Sequence, residues 1–331
     1  MKDGVLVFVD QNNGKLGQAS WEALAAGQEL AAKLGCKVSC AVFGKSAAIA
    51  GQELASTQLD QVCIAEGKSL LSYTPDGYTL ALNEIIQSLK PAWVVFNHTY
   101  QVRDFAPKLA TSLGSGLASD CVGFKVKDQQ ITLLRQTFQG KFICEVELTG
   151  PGPHLLSFQA GIFRKDLIRH QLKCAPVRTF SIDIPPDQIR TQPEEAFREA
   201  KQSVDLTQAS IIVAVGRGIK GPEGLDVAGK LAEVLGAEIA ASRPVCDNGW
   251  LPMDRQVGSS GQTIAPKLYL ALGISGAIQH QVGMKGSQTI IAINKDTEAP
   301  IFEIATYGII GDLFEVVPLL IKEIEKLKAL G

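Results

Sequence analysis

A chain of 331 residues is long enough for about two domains, because single cores rarely grow far past ~250 residues. It is 46% apolar and 20% charged, an ordinary globular balance. A net charge of −2 with no basic tract argues against a nucleic-acid partner. The longest apolar runs, such as Val5–Val9 and Ile211–Val215, fall far short of the ~18 residues of a membrane span.

The first apolar run follows directly on Met1-Lys2-Asp3, so no signal or transit peptide is expected and the cytoplasm is the expected location. Strand and helix signals then alternate. Val5–Val9, Val38–Phe43, Gln61–Ile64 and Trp93–Phe96 read as strands. Ser20–Leu34, Ala47–Ala55, Tyr78–Leu89 and Ala106–Leu113 read as helices, with Ser20 as an N-cap and Gly35 just past the first end. This is the rhythm of a parallel sheet covered on both faces. After Asp120 the strand-like runs crowd together: Val122–Val126, Gln130–Arg135, Ile143–Leu148 and His154–Phe158, with Thr179–Ile184 the last. They predict an antiparallel extension of the same domain. The seven cysteines, Cys36, Cys40, Cys63, Cys121, Cys144, Cys174 and Cys246, are scattered with no Cys-x-x-Cys pair, so no metal or cluster site is expected.

Pro185-Pro186, a polar run and a charged helix over 194–204 mark a boundary. The expected division is an N-terminal α/β domain at 1–188, a linker or hinge at 189–207, and a second domain at 208–331. Half of the 32 glycines fall after residue 204. Strands are expected at Ser210–Val215, Glu238–Ala241, Leu268–Leu272, Thr289–Ile293 and Phe302–Ala305, and a final helix at Leu313–Leu330. The fold class is therefore α/β, with a parallel-sheet domain bearing an antiparallel extension and then a Rossmann-like, doubly wound domain.

Four glycine-bearing turns punctuate that second domain: Gly216-Arg217-Gly218, Val257-Gly258-Ser259-Ser260-Gly261, Gly273-Ile274-Ser275-Gly276, and Tyr307-Gly308-Ile309-Ile310-Gly311-Asp312. Glycine at a strand end lets backbone N–H groups approach a phosphate, and a following helix adds its positive end. A helix is expected to start at Ser275. No G-x-G-x-x-G run occurs, so an ordinary NAD-type site is not indicated. Arg243 at a strand end suits a phosphate or an aromatic ring system, or a surface ion pair. His280 reads either as a packed residue or as a charge partner for a cofactor, and Asn294 as a ribose contact or a turn cap.

Taken together, Ala241-Ser-Arg-Pro-Val-Cys-Asp-Asn-Gly-Trp250, Gln256-Val-Gly-Ser-Ser-Gly261, Leu272-Gly-Ile-Ser-Gly-Ala-Ile-Gln-His280, Ile293-Asn-Lys-Asp296, Ala299-Pro-Ile-Phe302 and Tyr307-Gly-Ile-Ile-Gly-Asp-Leu-Phe314 resemble the α subunit of electron-transfer flavoproteins. Order and spacing agree from Gly216 onward. The amino-terminal half agrees more loosely, at Arg103-Asp-Phe-Ala-Pro107 and Gly114–Asp120. The resemblance implies FAD as cofactor. It implies that Arg217 reaches the cofactor, that Ser242 and Arg243 lie beside the isoalloxazine, and that in the loop Val257, Gly258, Ser259 and Ser260 a hydroxyl bonds flavin N5. It gives the pyrophosphate to Ser275, Gly276, Ala277, Ile278 and Gln279, with His280 aimed at the flavin O2 edge. Asn294, Asp312 and Leu313 fall to the adenosine part.

The implied function is that of a carrier rather than an enzyme, one half of a heterodimer with a β subunit. It would take electrons from flavin dehydrogenases such as the acyl-CoA dehydrogenases of fatty acid β-oxidation, hold an anionic semiquinone, and pass electrons to a quinone reductase or another acceptor. An NADH-dependent electron-bifurcating relative is the alternative, and a nucleotide-binding module without electron transfer a third reading. Cations near N1 and O2, namely Arg243 and a charged His280, would stabilise the one-electron state. No Ser-His-Asp or Cys-His set suggests covalent catalysis.

Overall fold

The computed structural model describes residues 4–138, 140–194 and 206–330. The chain divides into two compact units, Met1–Ala196 and Phe197–Gly331. The charged helix expected over 194–204 lies, apart from Glu194, outside the described residues.

In the first unit, β1 (Val5–Val9), α1 (Gln18–Leu34), β2 (Val38–Phe43), α2 (Ala47–Ala55), β3 (Gln61–Glu66), α3 (Pro75–Leu89), β4 (Trp93–Asn97) and α4 (Tyr100–Leu113) alternate along the chain. There follow β5 (Leu117–Lys127), β6 (Gln130–Thr137), β7 (Phe142–Val146), β8 (His154–Phe158) and β9 (Val177–Ser181). All join one sheet in the order β9-β3-β2-β1-β4-β8-β5-β6-β7. The two-residue period of β1 sorts its side chains: Val5, Val7 and Val9 pack under α1 and α2, while Leu6 and Phe8 pack against Tyr78 and Leu82 of α3 and Phe105 of α4.

Three expectations need correction here. Ser20 does not cap α1, which starts at Gln18 with Gly17 as N-cap; the Ser20 hydroxyl instead donates to the carbonyl of Asp10, tying the helix to the end of β1. Only β5, β6 and β7 form the antiparallel extension. His154–Phe158 is a central strand, parallel to both β4 and β5. Leu155, Leu156, Ser157 and Phe158 are all buried, as a strand covered on both faces requires. The last strand, Val177–Ser181, is parallel to β3 at the opposite edge.

The second unit contains β10 (Ile211–Val215), α5 (Leu225–Leu235), β11 (Glu238–Ala241), α6 (Arg243–Asp247), β12 (Leu268–Leu272), α7 (Ile278–Val282), β13 (Thr289–Asn294), β14 (Tyr307–Ile310) and α8 (Leu313–Leu330). Its sheet is wholly parallel, in the order β11-β10-β12-β13-β14. Val213 and Val215 pack against Leu231 of α5 and Val317 of α8; Ile212 and Ala214 share the opposite core with Ile274, Met284 and Ile301.

Here the strand expected at Phe302–Ala305 is absent. Pro300 opens a 3-10 turn that drops Ile301 into the core, and the edge strand forms five residues later, at Tyr307–Ile310. Tyr307 to Ile310 are therefore strand, and the fourth turn shrinks to Gly311-Asp312. The helix expected at Ser275 begins only at Ile278 and has five residues. Among the described residues, no helix is long and apolar enough to cross a membrane.

Candidate functional site

Register places the site. Val215 pairs with Ala241 on one side and Leu272 on the other; Leu272 pairs with Ile293, and Ile293 with Ile309. The five strands thus end level, and the segments after them, starting at Gly216, Ser242, Gly273, Lys295 and Gly311, issue from one edge of the sheet. The chain winds outward in opposite directions from β10, so its carboxyl end, between β10 and β12, is the topological switch point. A crevice there is where open α/β sheets bind ligands.

Two of the glycine turns grip one another at that point. The Gly216 N–H donates to the Leu272 carbonyl at 2.9 Å and the Gly218 N–H to the Gly273 carbonyl at 3.1 Å. A Cβ on Gly216 would lie 2.2 Å from the Gly273 oxygen. These glycines permit backbone-to-backbone packing, so their N–H groups are not free for a phosphate as the sequence suggested.

The free donors lie further on. Among the described residues, none accepts from the backbone N–H groups of Ser275, Gly276, Ala277 or Ile278. Gly276 turns that segment at φ +84°, against Ile301, whose N–H donates to the Ser275 carbonyl at 3.0 Å. Consecutive unpaired N–H groups of this kind form an anion-binding concavity.

Around it stand polar and cationic side chains. Arg217 is exposed in the 3-10 turn after β10. Ser242, 8% exposed, is the N-cap of α6, and its N–H donates to the Val215 carbonyl at 3.0 Å. Arg243 is largely exposed and reaches Asp247 at 3.3 Å. In the loop after Gln256, Val257 is buried while Ser259 and Ser260 are exposed. The Ser259 N–H donates to the Gln279 carbonyl at 2.7 Å, so this loop and α7 are stitched together.

His280 belongs to the same stitching. It is 6% exposed; Nδ1 lies 3.1 Å from the Val257 carbonyl and Nε2 2.8 Å from the Tyr269 hydroxyl. A carbonyl only accepts, so Nδ1 carries the proton and Nε2 accepts from Tyr269. Burial pushes the imidazole down to about 4, against the small upward pull of the Val257 carbonyl. His280 is therefore neutral, and a cation at this position, as expected above, is replaced by a dipole. The cationic charge at the site comes from Arg217, Arg243, Lys220 and Lys295.

At the other end, the Asn294 side chain donates to the Ile274 carbonyl at 2.9 Å and accepts from the Asp296 N–H at 3.1 Å. Asp312 pairs with Lys295 at 2.5 Å and accepts from the Phe314 N–H at 3.0 Å; the Lys295 contact leads in holding its carboxyl below the usual range. Leu313 is buried as the first residue of α8. Lys220 lies over the Phe314 ring at 5.2 Å. The sequence reading missed Tyr269, Gln256, Lys220 and Lys295 as members of the site. Tyr269 had a signal: it is the one aromatic in the otherwise aliphatic strand Leu268–Leu272.

A wholly parallel sheet with its first strand at the switch point, free backbone donors, and surrounding cations defines a dinucleotide-binding α/β protein. The comparisons carry this to a family. Residues 5–185 match the electron transfer flavoprotein domain, and residues 205–285 the electron transfer flavoprotein FAD-binding domain. The electron transfer flavoprotein subunit alpha of Thermoanaerobacterium thermosaccharolyticum is 40% identical over 98% of both chains. That of Bacillus subtilis is 39% identical, again covering 98% of each. Acryloyl-CoA reductase electron transfer subunit beta of Anaerotignum propionicum is 34% identical, over 97% of this chain and 95% of its own. The chain belongs to the electron transfer flavoprotein α-subunit family, and its cofactor is FAD.

The residues present suit that cofactor. A pyrophosphate needs donors, and the N–H groups of Ser275 to Ile278 have no acceptors within the described chain. An isoalloxazine needs hydrogen-bonding groups at its polar edge, and Ser260 and Arg243 are exposed at the same sheet edge.

Proposed function

We propose that this chain is the larger, FAD-holding half of a heterodimeric electron carrier, completed by a β subunit. The free donor run Ser275–Ile278 carries the reading. FAD, when bound, supplies the redox chemistry; the protein supplies orientation and electrostatics. Ser275, Gly276, Ala277, Ile278 and Gln279 cradle the pyrophosphate. Arg217, Ser242 and Arg243 bind the flavin end from the turns after β10 and β11. Val257 to Ser260 cover the ring, with the Ser260 hydroxyl donating to N5. His280 presents a neutral ring whose orientation is fixed from both sides. Asn294, Asp312 and Leu313 hold the adenosine part.

The donor in this reading is a flavin dehydrogenase of the acyl-CoA type, and the acceptor a quinone reductase or another redox protein. A second reading is an α subunit within an electron-bifurcating complex that oxidises NADH; the relative named as an electron transfer subunit of acryloyl-CoA reductase supports only that such chains also serve reductase complexes. Residues 189–207 serve in either as the hinge that brings the flavin to each partner in turn. Flavin counting separates the two: one FAD per heterodimer fits the simple carrier, two fit bifurcation. A heterodimer that takes up no FAD would contradict both.

A further inference from the structure

Gln256 stands immediately before the loop assigned to the flavin ring, and its side chain has an unusual setting. The residue is 1% exposed. Its backbone is pinned, with the N–H donating to the Met253 carbonyl at 3.1 Å and the carbonyl accepting from the Gln262 N–H at 2.8 Å. It also forms an isolated parallel bridge with Ala241 at the end of β11. From this anchored position Nε2 donates to the Ser260 hydroxyl oxygen at 2.9 Å, while Oε1 is buried with no partner among the described residues.

An orphaned buried acceptor is destabilising, and an apolar side chain of similar volume would avoid that cost. The amide has one partner, Ser260, and its effect on that partner is directional. A hydroxyl has one proton and two acceptor lone pairs. With Nε2–H occupying a lone pair, the Ser260 proton cannot point at Gln256 and is directed outward, where the residue is exposed. The reverse amide orientation would strand buried N–H donors in place of one carbonyl oxygen, and orphaned donors are the rarer of the two. Serine also lacks the β-methyl that stiffens threonine at χ1, so an external restraint matters more here.

We propose that Gln256 is a positioning residue that sets the Ser260 hydroxyl as a hydrogen-bond donor toward flavin N5. The inference rests on the reading that Ser260 faces the flavin, and it adds the residue that decides which way the proton points.

The test uses the FAD-loaded heterodimer carrying flavin enriched in nitrogen-15 at N5, with the N5 resonance as readout. S260A is expected to move the resonance downfield, as loss of a donor requires. Q256M is expected to move it in the same direction. Q256E, whose carboxylate only accepts, draws the Ser260 proton inward and matches S260A at neutral pH. The double variant S260A/Q256M adds nothing to S260A alone. A wild-type heterodimer that binds no FAD, or an S260A resonance identical to wild type, overturns the FAD reading or the N5 contact and this proposal with it. A displaced S260A resonance with Q256M and Q256E at the wild-type position overturns the role of Gln256 alone. Loss of FAD from both Gln256 variants while S260A keeps it also overturns that role, because the residue would then support the fold and not the hydroxyl.

Discussion

His280 and Arg243 show how little residue type says about charge until the neighbours are known. Tyr269 is fully buried, and its hydroxyl donates to the histidine from inside the sheet. Y269F is expected to leave Nε2 without its donor and to destabilise the second unit by about 1–3 kcal/mol. In a long-range nitrogen-15 spectrum the ring should carry its proton on Nδ1 in the wild type and still in Y269F, because the Val257 carbonyl keeps its demand for a donor, while the Nε2 resonance alone shifts as its hydrogen bond is lost. A wild-type ring protonated on Nε2 would contradict the assignment. Arg243 is the opposite case. Its ion pair with Asp247 is solvent-exposed, and such pairs contribute little. R243A is therefore expected to change unfolding free energy by less than ~0.5 kcal/mol. FAD affinity should fall by about tenfold, or ~1.4 kcal/mol, in a fluorescence titration. A stability loss with unchanged affinity would reverse that assignment.

At the scale of elements, the glycines divide by what a side chain would strike. Gly216 and Gly218 sit against the Gly273 backbone, which has no room to give. G216A is expected to destabilise the second unit by about 2–3 kcal/mol, as overpacking does. Gly229, inside α5, has open space where a methyl group would sit, with nothing within 4 Å. G229A is expected to stabilise by about 0.5–1 kcal/mol through helix propensity alone. Thermal unfolding checks the pair, and equal effects would sink the distinction. Most elements were legible in the sequence because they are long and periodic: α1, α3 and α8 by amphipathic spacing, β1 and β10 by short apolar runs. The pairing of His154–Phe158 between β4 and β5 was not, because order within a sheet is a non-local property. The strand expected at Phe302–Ala305 does not form, because the 3-10 turn opened by Pro300 takes Phe302 and Glu303 and the edge strand starts only at Tyr307. The glycine turns gather at one sheet edge, but which N–H groups stay free depends on the packing of Gly216 on Gly273, and no spacing encodes that.

The whole molecule should respond to pH with opposite signs in its two units. His280 falls from an ordinary 6.5 to about 4 through burial, so between those values the unfolded chain binds the proton more tightly. Its contribution is complete above pH 6.5 and is lost as pH falls toward 4, a change of about 3 kcal/mol. Asp312, held below its usual range chiefly by Lys295, acts in the same direction at lower pH. In the first unit Asp10 is pushed by burial from 3.8 up to about 6, and burial also raises Glu22. There the folded state binds the proton more tightly, so stability is fully present below pH 3.8 and lost as pH rises through 6. His98, lowered mainly by burial, offsets part of this. Unfolding followed between pH 4 and 7 should show the second unit gaining stability as the first loses it, and parallel curves would contradict the assignments.

The central claim, that the second unit holds FAD, is tested most directly by purifying the chain with its β partner and recording the visible spectrum with a flavin count per α chain. The account predicts an oxidised-flavin spectrum with one FAD assigned to each α chain, lost when Gly276 is replaced by a β-branched residue. A colourless heterodimer that takes up no added FAD would contradict it.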